Sequence, residues 1–137
     1  KKFIISGIQK EVASGERTDV RLLSIIEEHA FLSSLIKVSK AYKGEPVNII
    51  SNILSGYLDK ELSYNIGQAK EPSIKVIIPN LNPLDAVDWI RDKMATTIGA
   101  PYFLYSSLRD EAISISHLEK LITVEQRQPI HIWSDIS

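Results

Sequence analysis

The sequence contains no cysteine, which excludes disulfides and thiolate metal sites and removes any clue to redox compartment. No uninterrupted apolar run approaches the roughly 20 residues that cross a bilayer as a helix. An excess of charge is missing as well. Sixteen basic residues stand against 17 acidic ones, a formal net charge of -1. Proteins that bind nucleic acid ordinarily carry a basic field over the contact face, so the balance argues against nucleic-acid specificity, although a local basic patch stays open. The opening run Phe3-Ile4-Ile5 passes within two residues into Gly7-Ile8-Gln9-Lys10-Glu11 and is too short for the core of a secretory leader. With no initiator Met and strand-like sequence from the start, the expectation is a piece of a longer protein. Neither an internal repeat nor a low-complexity tract is present.

What remains is ordinary globular material. The 137 residues are 44% hydrophobic and 24% charged, enough to bury a core and too apolar for wholesale disorder. Residues 3–12 and 18–26 are rich in β-branched types and flank the polar link Ala13-Ser14-Gly15-Glu16-Arg17, which predicts an antiparallel hairpin. A lone hairpin is marginal in water, so further strands are expected to pair with it. Phe31, Leu32, Leu35, Ile36 and Val38 outline a helical face, which the polar stretch 39–44 ends. Pro46, suited to a first helical turn, precedes Val47, Ile50, Ile53, Leu54, Tyr57 and Leu58 at three- and four-residue steps, an amphipathic helix that Gly56 weakens slightly. Residues 59–73 read as a loop, and 74–78 as a short strand stopped by Pro79. A second helix follows: Asn82 as cap, Pro83 at the first position, Asp85 in the first turn, a stripe of Leu84, Val87, Ile90, Met94 and Ile98, and Gly99 to close it. Tyr102-Phe103-Leu104-Tyr105 and 112–116 predict two paired strands, 117–123 a short helix, and 129–133 a last strand or ordered tail. The fold class expected is α+β, with two main helices on a small antiparallel or mixed sheet.

Signatures of chemistry are sparse. His29, His117 and His131 are far apart, and none has a second ligand at metal spacing; four residues after His117 stands Leu121. There is no Gly-x-Ser-x-Gly elbow and no phosphate-cradling glycine loop. Asp85, Asp88 and Asp92 share a helical face, but Arg91 and Lys93 are close by, and a solvated face with early acids is the plainer reading. The 102–105 cluster reads as sheet core with hydroxyls at its rim rather than a platform for nucleobases. Trp89, one position off the apolar stripe, fits core or interface equally. No catalytic, cofactor-binding or metal residue is assigned, and no cofactor is expected.

The order of the elements carries more than any one of them. A hairpin leads to Lys37-Val38-Ser39-Lys40-Ala41-Tyr42-Lys43-Gly44 and the helix Val47-Asn48-Ile49-Ile50-Ser51-Asn52-Ile53-Leu54. Ile77-Ile78-Pro79-Asn80-Leu81-Asn82-Pro83-Leu84-Asp85-Ala86-Val87-Asp88-Trp89-Ile90 follows, and then Pro101-Tyr102-Phe103-Leu104-Tyr105. From about Phe3 to Ile122 this resembles the baseplate hub proteins of contractile-tailed phages. The resemblance implies that residues 1–28 are the closing hairpin of a tail-tube-like β-domain and 29–137 an α+β insertion domain. It implies a homotrimer in the intact protein, with the tail tube, the central spike or tail lysozyme, and other baseplate proteins as partners. It places the chain in the virion tail baseplate, assembled in the host cytoplasm, as a structural protein and not an enzyme. Tyr42, Trp89 and Tyr102 are contact residues to test. A related cellular injection apparatus fits the same motifs. Two other classes stay open: a ligand- or cell-wall-binding module with the 59–73 loop as lid, and a hydrolase drawing acid and base from Asp85, Asp88, Asp92 and Glu119.

Overall fold

A computed structural model describes residues 1–13, 19–64, 72–96 and 98–123. The hairpin forms as the composition requires: β1 (Phe3–Ala13) pairs antiparallel with β2 (Asp19–Glu27). Glu28–Leu35 is a helix, α1, followed by β3 (Ala41–Gly44) and the helix α2 (Pro46–Leu58). Then come β4 (Leu62–Tyr64), β5 (Ile74–Ile77) and the helix α3 (Pro83–Arg91). β6 (Tyr102–Ser106), β7 (Ile113–His117) and the short helix α4 (Leu118–Ile122) complete the described chain. The strands form three small sheets: β1-β2, β3-β5, and β4-β7-β6 with β4 parallel to β7. Helices and small mixed sheets make this an α+β fold.

The core sits between α2 and α3. Ile50, Ile53 and Leu54 from α2 and Ala86, Val87 and Ile90 from α3 are wholly buried in one cluster with Val38, Ile78, Tyr102 and Ile115. Each face follows from its three- and four-residue spacing. Pro46 occupies the first turn of α2, where no N–H is needed. The far end closes at Asp59, whose φ of 50° is left-handed, with the Lys60 N–H reaching back to the Leu54 carbonyl at 3.2 Å.

Several expectations are corrected. The polar stretch 39–44 does not merely end a helix: 41–44 pair with β5, Tyr42 opposite Val76. Within 59–73, residues 62–64 are a strand, held by pairing to β7 and by the Ile113 N–H on the Glu61 carbonyl at 3.0 Å. The face expected on 31–38 is divided: Phe31, Leu32 and Leu35 of α1 are exposed and its buried residue is Ser33, while Val38, beyond the end of the helix, is buried in the core.

α3 has Pro83 at its start as expected, but the Asn82 side chain does not cap it. The Ser33 hydroxyl of α1 does so instead, accepting from the Leu84 N–H at 3.0 Å. The helix also stops seven residues early. The Arg91 guanidinium reaches the Tyr102 carbonyl at 3.0 Å, the chain turns at Asp92–Lys93, and the Met94 N–H bonds the Arg91 carbonyl at 2.9 Å. Met94 is buried off the helix, while Ile98 is exposed. Gly99 is left-handed (φ 81°), but in a tight turn: Ala95 bridges Pro101, and Ala100 donates to the Thr96 hydroxyl at 2.9 Å. The 129–133 strand and His131 lie outside the described residues.

Candidate interaction surface

The hairpin is unlike the rest of the molecule. Its register sets Phe3 opposite Glu27, Ile5 opposite Ile25, and Ile8 opposite Leu23. Opposed residues share a face, so Phe3, Ile5, Ile8, Leu23 and Ile25 line one side. All five are between 42 and 67% exposed. Register shifts after Ile5 and after Ile8 keep these residues on that side although their spacing in β1 is uneven. The opposite face carries Ile4 and Ile26, half-buried, with Val20 and Leu22 about half exposed. A sheet with one wet side alternates apolar and polar residues; strands apolar at both parities are the kind that is covered on both faces. No third strand pairs with β1 or β2 among the described residues.

The root of the hairpin is fastened by a polar knot. Glu27 Oε1 accepts from Lys1 Nζ at 2.8 Å, and Glu27 Oε2 lies 3.1 Å from His29 Nδ1 and accepts from the Ser106 hydroxyl of β6 at 3.3 Å. Lys1 Nζ also donates to Ser106 Oγ. The Lys1 and His29 side chains keep only 6 and 12% of their surface in contact with water. The bond from Lys1, aided by the positive charges around it, holds the Glu27 carboxyl below its ordinary range against the cost of burial. Burial pushes His29 below its ordinary value; Glu27 opposes this, and Lys60 and Lys1 add to it.

The other residues singled out are scattered. Arg91 binds Asp88 at 2.8 Å and Asp92 at 2.7 Å, so two of the three aspartates are engaged by a cation on their own helix. Asp85 joins no group of acids or histidines able to hold a metal among the described residues. Glu119 is on α4, one of its carboxylate oxygens buried without a partner among those residues. His117 caps α4, its Nδ1 accepting from the Lys120 N–H at 3.3 Å, and meets the Tyr102 ring edge-on at 6.0 Å. Tyr102 is 1% exposed and so is a core residue, not a surface contact. Phe103 and Tyr105 are the accessible rings of that cluster. Trp89 packs at the margin of the core with the Lys93 ammonium 4.1 Å over its ring. Tyr42 is half-buried; burial, and then the hydrogen bond with Tyr57, push its phenol up to about 12. A hollow of about 500 Å³ lies between the end of α2 and the start of β7 and is lined by Ser55, Asp59, Lys60, Glu61, Glu111 and Ala112.

The root knot escaped sequence reasoning because its members are up to 105 residues apart. The two-faced hairpin did leave a signal, in the doublets Ile4-Ile5, Leu22-Leu23 and Ile25-Ile26, each of which puts apolar side chains on both sides of a strand. No family model, curated protein or solved structure matches this chain.

Proposed function

We propose that this protein is a non-catalytic structural part of a larger assembly, and that the assembly is the baseplate hub of a phage tail, joining the tail tube to the central spike. The observation that carries an assembly role is the hairpin with apolar side chains exposed on both faces. Burying seven half-exposed large side chains is worth about 1 kcal/mol each, a gross drive of roughly 5 to 10 kcal/mol before the entropy of association. That drive is realised when strands of a neighbour take both faces out of water. The hub in particular is supported by the ordered motifs that resemble the hub family. In that setting the hairpin is built into a ring shared by three copies, and the α2–α3 body is the stiff element that transmits load between tube and spike.

The test is the solution mass of the complete gene product by light scattering. A trimer supports the hub, and a monomer at every concentration sinks it. A second reading, a ligand- or cell-wall-binding module, draws on the polar hollow lined by Ser55, Asp59, Lys60, Glu61 and Glu111, whose groups could receive the hydroxyls of a glycan. Heat released on titrating cell-wall glycan fragments would favour it, and flat titrations would remove it.

A further inference from the structure

The small β3-β5 sheet carries a pairing that its own stability does not call for. The register puts Lys43 directly opposite Lys75, and Ala41 opposite Ile77. Burial alternates along both strands: Tyr42, Ile74 and Val76 pack against the core, while Ala41, Lys43, Lys75 and Ile77 face outward. Like charges directly opposite each other on one face destabilise a strand pair. Neither ammonium has a hydrogen bond or ion pair with a described residue, and exposed Glu45, two residues beyond Lys43, bonds neither. Lys37, exposed, adds positive charge on the approach to β3, while the Lys40 ammonium lies 5.4 Å over the ring of Tyr42. Beside the lysines Ile77 is 73% exposed, and the two strands line a shallow depression of about 350 Å³. No other strand pairs with this sheet among the described residues.

We infer that the outer face of β3-β5 is a docking surface for an extended acidic protein segment, with carboxylates set on Lys43 and Lys75 and an apolar side chain on Ile77. Charge complementarity selects the acid, and in an extended partner an acidic and an apolar residue two positions apart share one face and fall beside Lys75 and Ile77. The apolar half of the face, Ala41 with Ile77, favours a peptide over a nucleic acid, whose backbone offers phosphate but no aliphatic side chain. The surface shares no residue with the hairpin.

The probe is a fluorescein-labelled peptide of repeating Glu-Ser-Val-Ser, which sets Glu and Val in turn on one face, titrated with the 137-residue chain and read by anisotropy, beside its Gln-for-Glu analogue and a single-stranded oligonucleotide of equal charge. The expected result is binding of the Glu peptide that weakens at least about tenfold in Lys43→Glu and several-fold in Ile77→Ser, and that falls with salt from about 0.05 to 0.3 M. Thermal melting separates this from misfolding: Lys43→Glu turns a repulsive pair into an attractive one, so the variant that loses the peptide melts higher than the parent. Failure of the parent to bind the Glu peptide overturns the inference. So does equal binding of the Gln analogue, or oligonucleotide binding that matches the Glu peptide and ignores Ile77→Ser.

Discussion

The hairpin and the α2–α3 body draw on the same apolar residue types and treat them in opposite ways. In the body, Ile50, Ile53, Leu54, Val87 and Ile90 lose all contact with water. In the hairpin, Ile5, Ile8 and Ile25 keep more than half of theirs. Composition is therefore no guide to which segment is self-sufficient; geometry is. Two helices can turn their stripes toward each other and close a core within one chain, whereas a two-stranded ribbon has two faces and no second layer. The body's stability is its own, and the hairpin's depends on what covers it, apart from the Glu27 knot that ties its root to β6.

The largest effect expected from this contrast is at the core. Ile53→Ala should cost about 3 to 4 kcal/mol in urea unfolding, because the site is closed on all sides and leaves a cavity. Ile5→Ala, the same chemistry on the hairpin face, should cost less than about 1 kcal/mol in the isolated chain, and native-state hydrogen exchange should find β1 and β2 opening well before α2 and α3. Equal costs at the two sites would mean that the hairpin is packed in solution, and the comparison would fail.

Next in size is the knot. Glu27→Ala leaves the Lys1 ammonium with the Ser106 hydroxyl but no anion and removes the carboxylate beside His29, at a cost of about 2 kcal/mol. The pH dependence has a definite sign. Both groups have folded pKa values below their unfolded ones, so at low pH the unfolded chain binds more protons and stability falls on acidification. The contribution of His29 is present above its ordinary value of 6.5 and is lost as pH falls through the lower folded value. That of Glu27 is present above 4.5 and is lost in the same way, further down. Melting temperatures measured from pH 7 to 3 should show a two-stage decline. His29→Gln should remove the upper stage, and protection in β1 and β2 should fall with it if the knot is what holds the hairpin root.

How much of this was legible in the sequence depends on how local its cause is. The hairpin, α2, the β6-β7 pair and the start of α3 follow from spacing and turn chemistry within about a dozen residues, and they stand where the pattern puts them. What failed was set from a distance. The stripe of α3 runs on to Ile98, yet the helix ends where Arg91 meets the Tyr102 carbonyl. Asn82 has the right identity for a cap, but Ser33 of α1, about fifty residues away, takes the Leu84 N–H. Residues 41–44 and 62–64 are too polar and too short to announce themselves and are strands because β5 and β7 lie beside them. The surfaces were only half legible. The apolar doublets of the hairpin are visible by eye, whereas the facing of Lys43 and Lys75 requires a register that no local pattern supplies.

Ser33 offers the third test, smaller than the knot. Ser33→Ala leaves the Leu84 N–H of α3 without its acceptor in a buried place, and the loss should be about 1 to 2 kcal/mol. Because α1 follows β2 directly, the variant also asks whether the body holds the hairpin through α1. Protection falling in α3 alone keeps the two regions separate. Protection falling equally in β2 makes α1 the strut between them.

The smallest effect runs the other way. Gly56 is exposed in the last turns of α2, and a Cβ built there meets no atom within 4 Å. Its φ is not in the left-handed region, so alanine fits without strain, and the gain comes from the entropy that the unfolded chain no longer has. Gly56→Ala should therefore stabilise the chain by about 0.5 to 1 kcal/mol. That gain belongs to the body. Hydrogen exchange in α2 and α3 should slow by several-fold while exchange in β1 and β2 stays where it was, which widens the gap between the two regions. A matching rise in the hairpin would mean that it opens only with the whole molecule, and its exposed apolar faces would then be features of a cooperative unit rather than of a segment awaiting its cover.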